Sequence, residues 1–506
     1  MAGMRASSLV SWLQRAIVRW AAMVFLALVL LGGAWAVASP IGAGPDESGH
    51  IMKAAATFRG DFTGTPTSAP GIRSFVLPDD VGGLGGEVTC FAGLPNQTAA
   101  CAPALGSRSH VLIEVESGVA AYNPAYYALV GWPSLFLDGG TMVVAMRLLN
   151  VVLVAALWTV VIVTLSFRRP RTAFFACLAI TPLTLYLTGV VNPSGAEVAA
   201  TAAVLVLVDA VATGRGCGTP WLPVVLGVSV GLLINLRSIS PLFALLAVLA
   251  VLAMRGGAAL WDGMRRRSMI VMGLVLIPFA LFAVAWTLLV SQSAGFIPSS
   301  DRRRPGRLEA FFHTIEQFPS QFTEMVGVMG WFDAWPPTAV HMVWGVLVGG
   351  AVLLGALVGR PRHALTVLAA GALLLIAPAL IQAASAAQYG YIWQGRYGLP
   401  FLAITMTVAA LTVEAARPPV AAAGRFTAFA GVLLALQIWS FVAVLKRYAV
   451  GADADWGLWA TSSAWQPPGG AVLVCVVFAS GAALLMGALV VDARRSSART
   501  RAGTTN

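Results

Sequence analysis

Apolar residues dominate twelve stretches of the chain, at 20–38, 142–166, 172–190, 194–213, 220–236, 238–254, 268–290, 338–359, 364–384, 396–415, 424–445 and 469–491. Each is long enough, at about 17 to 25 residues and 1.5 Å per residue of helix, to cross roughly 30 Å of hydrocarbon. The pattern predicts about twelve transmembrane helices. A thirteenth run, 124–137 (PAYYALVGWPSLFL), is shorter and carries Pro133 inside it. That length predicts a re-entrant or interfacial segment rather than a crossing.

Composition agrees with an all-α polytopic membrane protein. Hydrophobic residues make up 58% of the 506 and charged residues only 10%, where soluble domains carry about 25% charged residues. The apolar content also excludes a disordered chain, and the length of the runs excludes a disulfide-dense scaffold. In a soluble chain the net charge of +11 would raise nucleic acid as a partner. Here no nucleic-acid partner is expected, because the charge serves topology.

With both termini cytoplasmic and 124–137 not crossing, the Arg168, Arg169 and Arg171 turn, the Arg265–Arg267 triplet, Arg360, Arg362 and the tail arginines all fall on the cytoplasmic side. Letting the short run cross would move those turns outside, against the positive-inside rule. The expected organisation is a cytoplasmic N-terminus at 1–19, a multi-pass domain at 20–491 with large outer loops at 39–123 and 291–337, and a basic cytoplasmic tail at 492–506. This orientation puts the two large loops on the outer side of the membrane. Arg15 and Arg19 before the first run, with Ala34, Ala36 and Ala38 at its end, resemble a secretory signal. The length of the run suits an anchor better.

Elaborated loops on one side point to work on that side. No P-loop is present, which argues against chemistry driven directly by ATP. Cys90 and Cys101 both fall in the first outer loop, where an oxidising compartment favours a disulfide; two unpaired thiols are the alternative. Asn96 in NQT is formally a glycosylation acceptor, a three-residue pattern that often arises by chance.

The polar residues that could carry chemistry gather at outer membrane edges. In GAGPDESGH after the first run, Pro45 suits a first helical turn, and Asp46 and Glu47 suit its positive end. His50 follows at a spacing that puts all three on one face. The pattern fits an acid–base or cation-binding group, with Asp46 and Glu47 able to take a divalent cation; ordinary helix-start chemistry fits the same residues. Arg147, Arg237 and Arg396 lie at the same level. Snorkelling explains any one of them, whereas three together suit a clamp for a lipid phosphate, which a planar guanidinium binds bidentately. Asn123, Asn192, Tyr397, Glu197 and Asn235 share that side. In the second loop, Arg302, Arg303, Arg304 and Arg307 precede a stretch of helical periodicity that predicts an amphipathic helix on the membrane. GWFDAWPP then returns Trp331, Asp333 and Trp335 to the interface, where Asp333 could face a sugar or simply be solvated.

PDESGH, NPAYY, VNPSGAE, GWFDAWPP and QGRYGLPFL occur in that order and on one side. Together they resemble the bacterial membrane family catalogued as domain of unknown function 2142, over about residues 20–490. That family is itself similar to integral-membrane glycosyltransferases of the GT-C type, which use polyprenyl-phosphate sugars. The resemblance implies a GT-C-like fold with a large first outer loop and a lipid-phosphate site at the membrane edge. It implies Asp46 as a base towards an acceptor hydroxyl, Glu47 orienting it, and arginines stabilising the leaving phosphate. The implied partners are a polyprenyl-phosphate-linked sugar and membrane lipids. Two other readings are a flippase for a lipid-linked glycan, which would need a polar path through the membrane, and a non-catalytic scaffold for envelope assembly.

Overall fold

The computed structural model describes residues 2–106, 111–168, 172–215, 221–290, 304–416, 423–460 and 464–502. It opens with α1 (Ala2–Ala38) and, after a turn, α2 (Glu47–Phe58). The first outer loop then departs from the helical pattern. Strands β1 (Thr65–Pro66) and β2 (Arg73–Pro78), the short α3 (Asp79–Gly82) and strand β3 (Leu112–Ser117) form an antiparallel sheet in the order β1-β2-β3. Phe75 pairs with Val115, and Phe75 and Leu77 are buried under the sheet beside α2.

The 124–137 run becomes α4 (Ala125–Val130) and a 3-10 turn at Trp132–Leu135. At six residues α4 is about 9 Å long, far short of a crossing. Leu129, Trp132 and Phe136 face outward, as an interfacial segment should. There follow α5 (Gly139–Arg168), α6 (Ala173–Cys177), α7 (Pro182–Thr188), α8 (Pro193–Ala212), α9 (Trp221–Leu233), α10 (Ser240–Arg255), α11 (Gly257–Met264) and α12 (Met269–Leu289). The second outer loop gives α13 (Arg307–Glu316) and α14 (Phe318–Gly327), and the chain closes with α15 (Thr338–Val358), α16 (Pro361–Tyr389), α17 (Leu399–Ala416), α18 (Ala423–Val450) and α19 (Ala471–Ala502).

Nine helices among the described residues are long and apolar enough to cross a membrane, or ten if the bent pair α10 and α11 counts as one span. The three other runs of the twelve are helical but short or broken. Residues 172–190 divide into α6 and α7, because Pro182 has no N–H to continue a helix and the Thr181 hydroxyl caps the next one by accepting from the Thr184 N–H. The 13-residue α9 reaches about 20 Å. α10 ends at Gly256, whose φ of +84° favours glycine, and α11 leaves at 115°.

α8 and α17 pack together at the centre, and nearly every residue of both is buried. α12, in contrast, buries only Met269 and turns an apolar surface outward. The central helices both start on the side that holds the large loops, which sets the polar turns before them next to α2.

Candidate functional site

Adjacent residues part company at the start of α2. Asp46 takes a left-handed backbone (φ 60°, ψ 9°), a conformation Asp tolerates better than most residues, and caps the helix without a side-chain bond. Its side chain stays 47% exposed and accepts one hydrogen bond, from Arg396 Nη2 at 2.6 Å.

Glu47 turns the other way and is fully buried. Arg147 Nε and Nη2 donate to its two carboxylate oxygens at 2.7 and 2.6 Å, and Val191 N–H donates to Oε1. Arg147 spends its other donors on the carbonyls of Ala36, Ser39 and Pro40, where α1 ends. The expectation that Glu47 orients a base or holds a cation, and that Arg147 grips phosphate, is therefore corrected. Both groups are saturated by each other and by backbone, since a charge this buried is tolerable only when paired. Among the described residues, no group of three or more His, Cys, Asp or Glu side chains is placed to hold a metal ion.

His50 is buried beneath Asp46. Its Nδ1 lies 2.8 Å from the Tyr127 hydroxyl, and the two rings stack at 5.9 Å. Burial, opposed by Asp46 and aided by Arg237 and Arg396, pulls its pKa down to about 3 and keeps the imidazole neutral. For Asp46, burial acts to raise the pKa, but the positive groups around it, Arg396 first, hold the carboxyl below its ordinary range.

Arg396 comes from a 3-10 turn, Gly395–Gly398, that leads into α17. A Cβ on Gly395 would stand 2.4 Å from the Gln321 carbonyl oxygen, so only glycine lets this turn lie so close to α14. Arg396 is 8% exposed. Nη2 bonds Asp46 and the Tyr397 hydroxyl, while Nε and Nη1 are buried without a partner among the described residues. Buried guanidinium donors are costly to leave unpaired. Arg237 also stands against Tyr397; the guanidinium carbons of Arg237 and Arg396 lie 4.8 and 5.1 Å from its ring centre. Arg237 also bonds the Tyr122 side chain and Ser194 Oγ, and lies 3.6 Å from the buried Glu197.

The asparagines hold this arrangement in place. Asn192 caps α8 by accepting from Ser194 N–H, and its amide donates to the Pro45 carbonyl, fixing the residue before Asp46. Asn123 accepts from Ala125 N–H and donates to Asn235 Oδ1. Each thus holds a neighbouring segment in place with one amide N–H and one oxygen lone pair.

Asp333 is also corrected. It is neither solvated nor free for a sugar, because it is buried against Arg447 at 2.6 Å. Arg447 further donates to the carbonyls of Phe91, Leu94 and Gln97. That segment lies inside the loop closed by the Cys90–Cys101 disulfide, and Asn96 is engaged there with Asp453. Arg302 and Arg303 lie outside the described residues; the predicted amphipathic helix is two helices, α13 and α14, with Pro319 in the first turn of the second.

Sequence reasoning missed Tyr122, Tyr127, Arg447 and the wall of α14 facing Gly395. NPAYY already contained Tyr127, while the Arg447 partnership joins residues 114 positions apart and left no local signal.

A bundle of long apolar helices with its polar cluster beside one set of loops defines a polytopic protein embedded in the membrane. The chain belongs to the family described as "Predicted membrane protein (DUF2142)", whose model matches residues 28–405. No curated protein and no solved structure matches it.

Proposed function

We propose that this protein transfers a sugar from a polyprenyl-phosphate donor to a cell-envelope acceptor, at the outer face of a bacterial inner membrane with both termini cytoplasmic. One observation carries the reading. Arg396 is buried, holds two guanidinium nitrogens without a partner among the described residues, shares the Tyr397 ring with Arg237, and touches an exposed carboxylate on a strained residue. Unpaired positive donors beside the starts of α2, α8 and α17 suit an anion. A single phosphate suits the spread of two guanidinium groups better than a carboxylate does.

In this mechanism the donor phosphate takes the free Nε and Nη1 of Arg396. Its charge also offsets the field that holds Asp46 ionised, so donor binding raises the affinity of Asp46 for a proton. Asp46 then accepts the proton of the acceptor hydroxyl as that oxygen bonds the anomeric carbon. The bond from that carbon to the phosphate oxygen breaks with its electron pair, and the arginines stabilise the departing polyprenyl phosphate. His50 stays neutral and supports the floor of the site through Tyr127.

The test is transfer of labelled sugar from a polyprenyl-phosphate donor to a membrane-extracted acceptor by purified protein in lipid nanodiscs. Asp46→Asn is expected to lower the rate by about 10²- to 10⁴-fold while donor binding persists. Wild-type rates in Asp46→Asn would reject Asp46 as the base.

A further inference from the structure

Next to Arg396, and outside the site built so far, α13 and α14 enclose a polar cavity of about 120 Å³ against residues 391 and 393. A single ordered water needs only roughly 10–15 Å³, so this space can admit a ring-sized group. His313, Gln317, Gln321, Glu324, Tyr391 and Trp393 are among its lining residues, with the His313 and Tyr391 rings packed against each other at 4.4 Å.

We infer that this cavity is a subsite for an uncharged sugar ring. Glutamine amides both donate and accept, the Glu324 carboxylate accepts, and a polyol presents hydroxyls that do both. Trp393 adds an apolar face against which a pyranose or furanose can lay its C–H surface. Among the described residues no lysine or arginine lines the cavity, and Glu324 would repel a phosphate. The chemistry is thus the opposite of that around Arg396, where donors of positive charge stand unpaired.

The wall is built to a fixed shape. Gln382, from α16, donates to the Gly390 carbonyl at 2.7 Å and accepts from the N–H groups of Ile392 and Trp393 at 2.9 and 2.8 Å. Both lone pairs of its amide oxygen and one amide N–H go into holding the segment that presents Trp393, which makes it a positioning residue. Gly395 N–H donates to Glu324 Oε2 at 2.6 Å, and Trp393 meets Tyr397 edge-on at 5.7 Å. The cavity and the arginine pair therefore share one rigid strip, residues 393–397, with a phosphate-seeking end and a hydroxyl-seeking end.

That the bound ring belongs to a lipid-linked donor or its acceptor rests on the transferase reading; the preference for an uncharged polyol does not. The test is saturation-transfer NMR on the full chain in nanodiscs, with methyl glycosides of glucose, galactose, mannose and arabinose as probes and inorganic phosphate as competitor. At least one glycoside should bind. Trp393→Ala and the milder Glu324→Gln should each weaken it about tenfold, the scale of one lost hydrogen bond or stacking contact. Added phosphate should leave it unchanged. Polyprenyl phosphate, titrated separately, should bind the two cavity variants as it binds the wild type. Absence of glycoside binding to the wild type, binding indifferent to both cavity variants, or displacement by phosphate would each overturn the inference. Glycoside binding without polyprenyl-phosphate binding would keep the cavity and remove the transferase reading.

Discussion

Asp46 and Glu47 are neighbours with the same chemistry and different fates, and the cause is one turn of backbone. The left-handed Asp46 sends its side chain to the surface edge, where Arg396 meets it, and Glu47 goes inward to Arg147. Residue types disclosed which groups were unusual but not which of them were satisfied, because saturation depends on carbonyls such as Ser39 and Pro40 that carry no sequence signal. Two predictions belong to this scale. Arg147→Ala should cost about 3 to 5 kcal/mol, the penalty of a buried carboxylate without its partner, read as a large fall in melting temperature in detergent; Asp46→Asn should cost about 1 kcal/mol or less. His50 should give an acid-sensitive contribution. Its folded pKa near 3 lies below its ordinary 6.5, so the unfolded chain takes up the proton first and stability falls as pH drops below 6.5. Between pH 6.5 and 5, where most carboxylates remain ionised, the loss should approach 2 kcal/mol. Melting curves of wild type and His50→Gln across that range check it; identical slopes would remove the assignment.

Among the elements, the long apolar helices were legible because each repeats one simple property over twenty residues. The broken ones were not. Pro182 was visible, but apolar flanks on both sides masked the break at Thr181, whereas the run at 238–254 stops where α10 does and leaves only the short α11 unread. The sheet had a readable sign in LIEVES, where apolar and acidic residues alternate with the period of a strand, yet a search tuned to uninterrupted runs passes over it. The first outer loop is held in place by Arg447, which reaches three of its carbonyls and Asp333 from the end of α18. The Cys90–Cys101 bond closes the segment that Arg447 grips. Removing the bond with Cys90→Ser and Cys101→Ser should cost about 2 to 4 kcal/mol through added freedom of the unfolded loop. Limited proteolysis in that segment should be faster in the double variant than in the wild type, and an unchanged cleavage rate would show that Arg447 suffices.

For the whole molecule, the positive turns and the polar cluster occupy opposite ends of the bundle, so orientation decides which compartment sees the site. Cysteine placed at Thr67 should react with an impermeant reagent in intact cells, and cysteine at Arg267 should not; the reverse pattern would put the site in the cytoplasm. Within the site, the proposed lipid-phosphate contact falls to Arg396, whose Nε and Nη1 have no partner among the described residues. Its most direct measurement is the affinity of polyprenyl phosphate for wild-type protein and for Arg396→Ala in nanodiscs, at fixed ionic strength. A charge-assisted contact worth about 1.5 to 3 kcal/mol predicts roughly 10- to 150-fold weaker binding in the variant, with Arg396→Lys between the two because a point charge cannot reproduce the guanidinium fork. Equal affinity in wild type and Arg396→Ala would contradict the account.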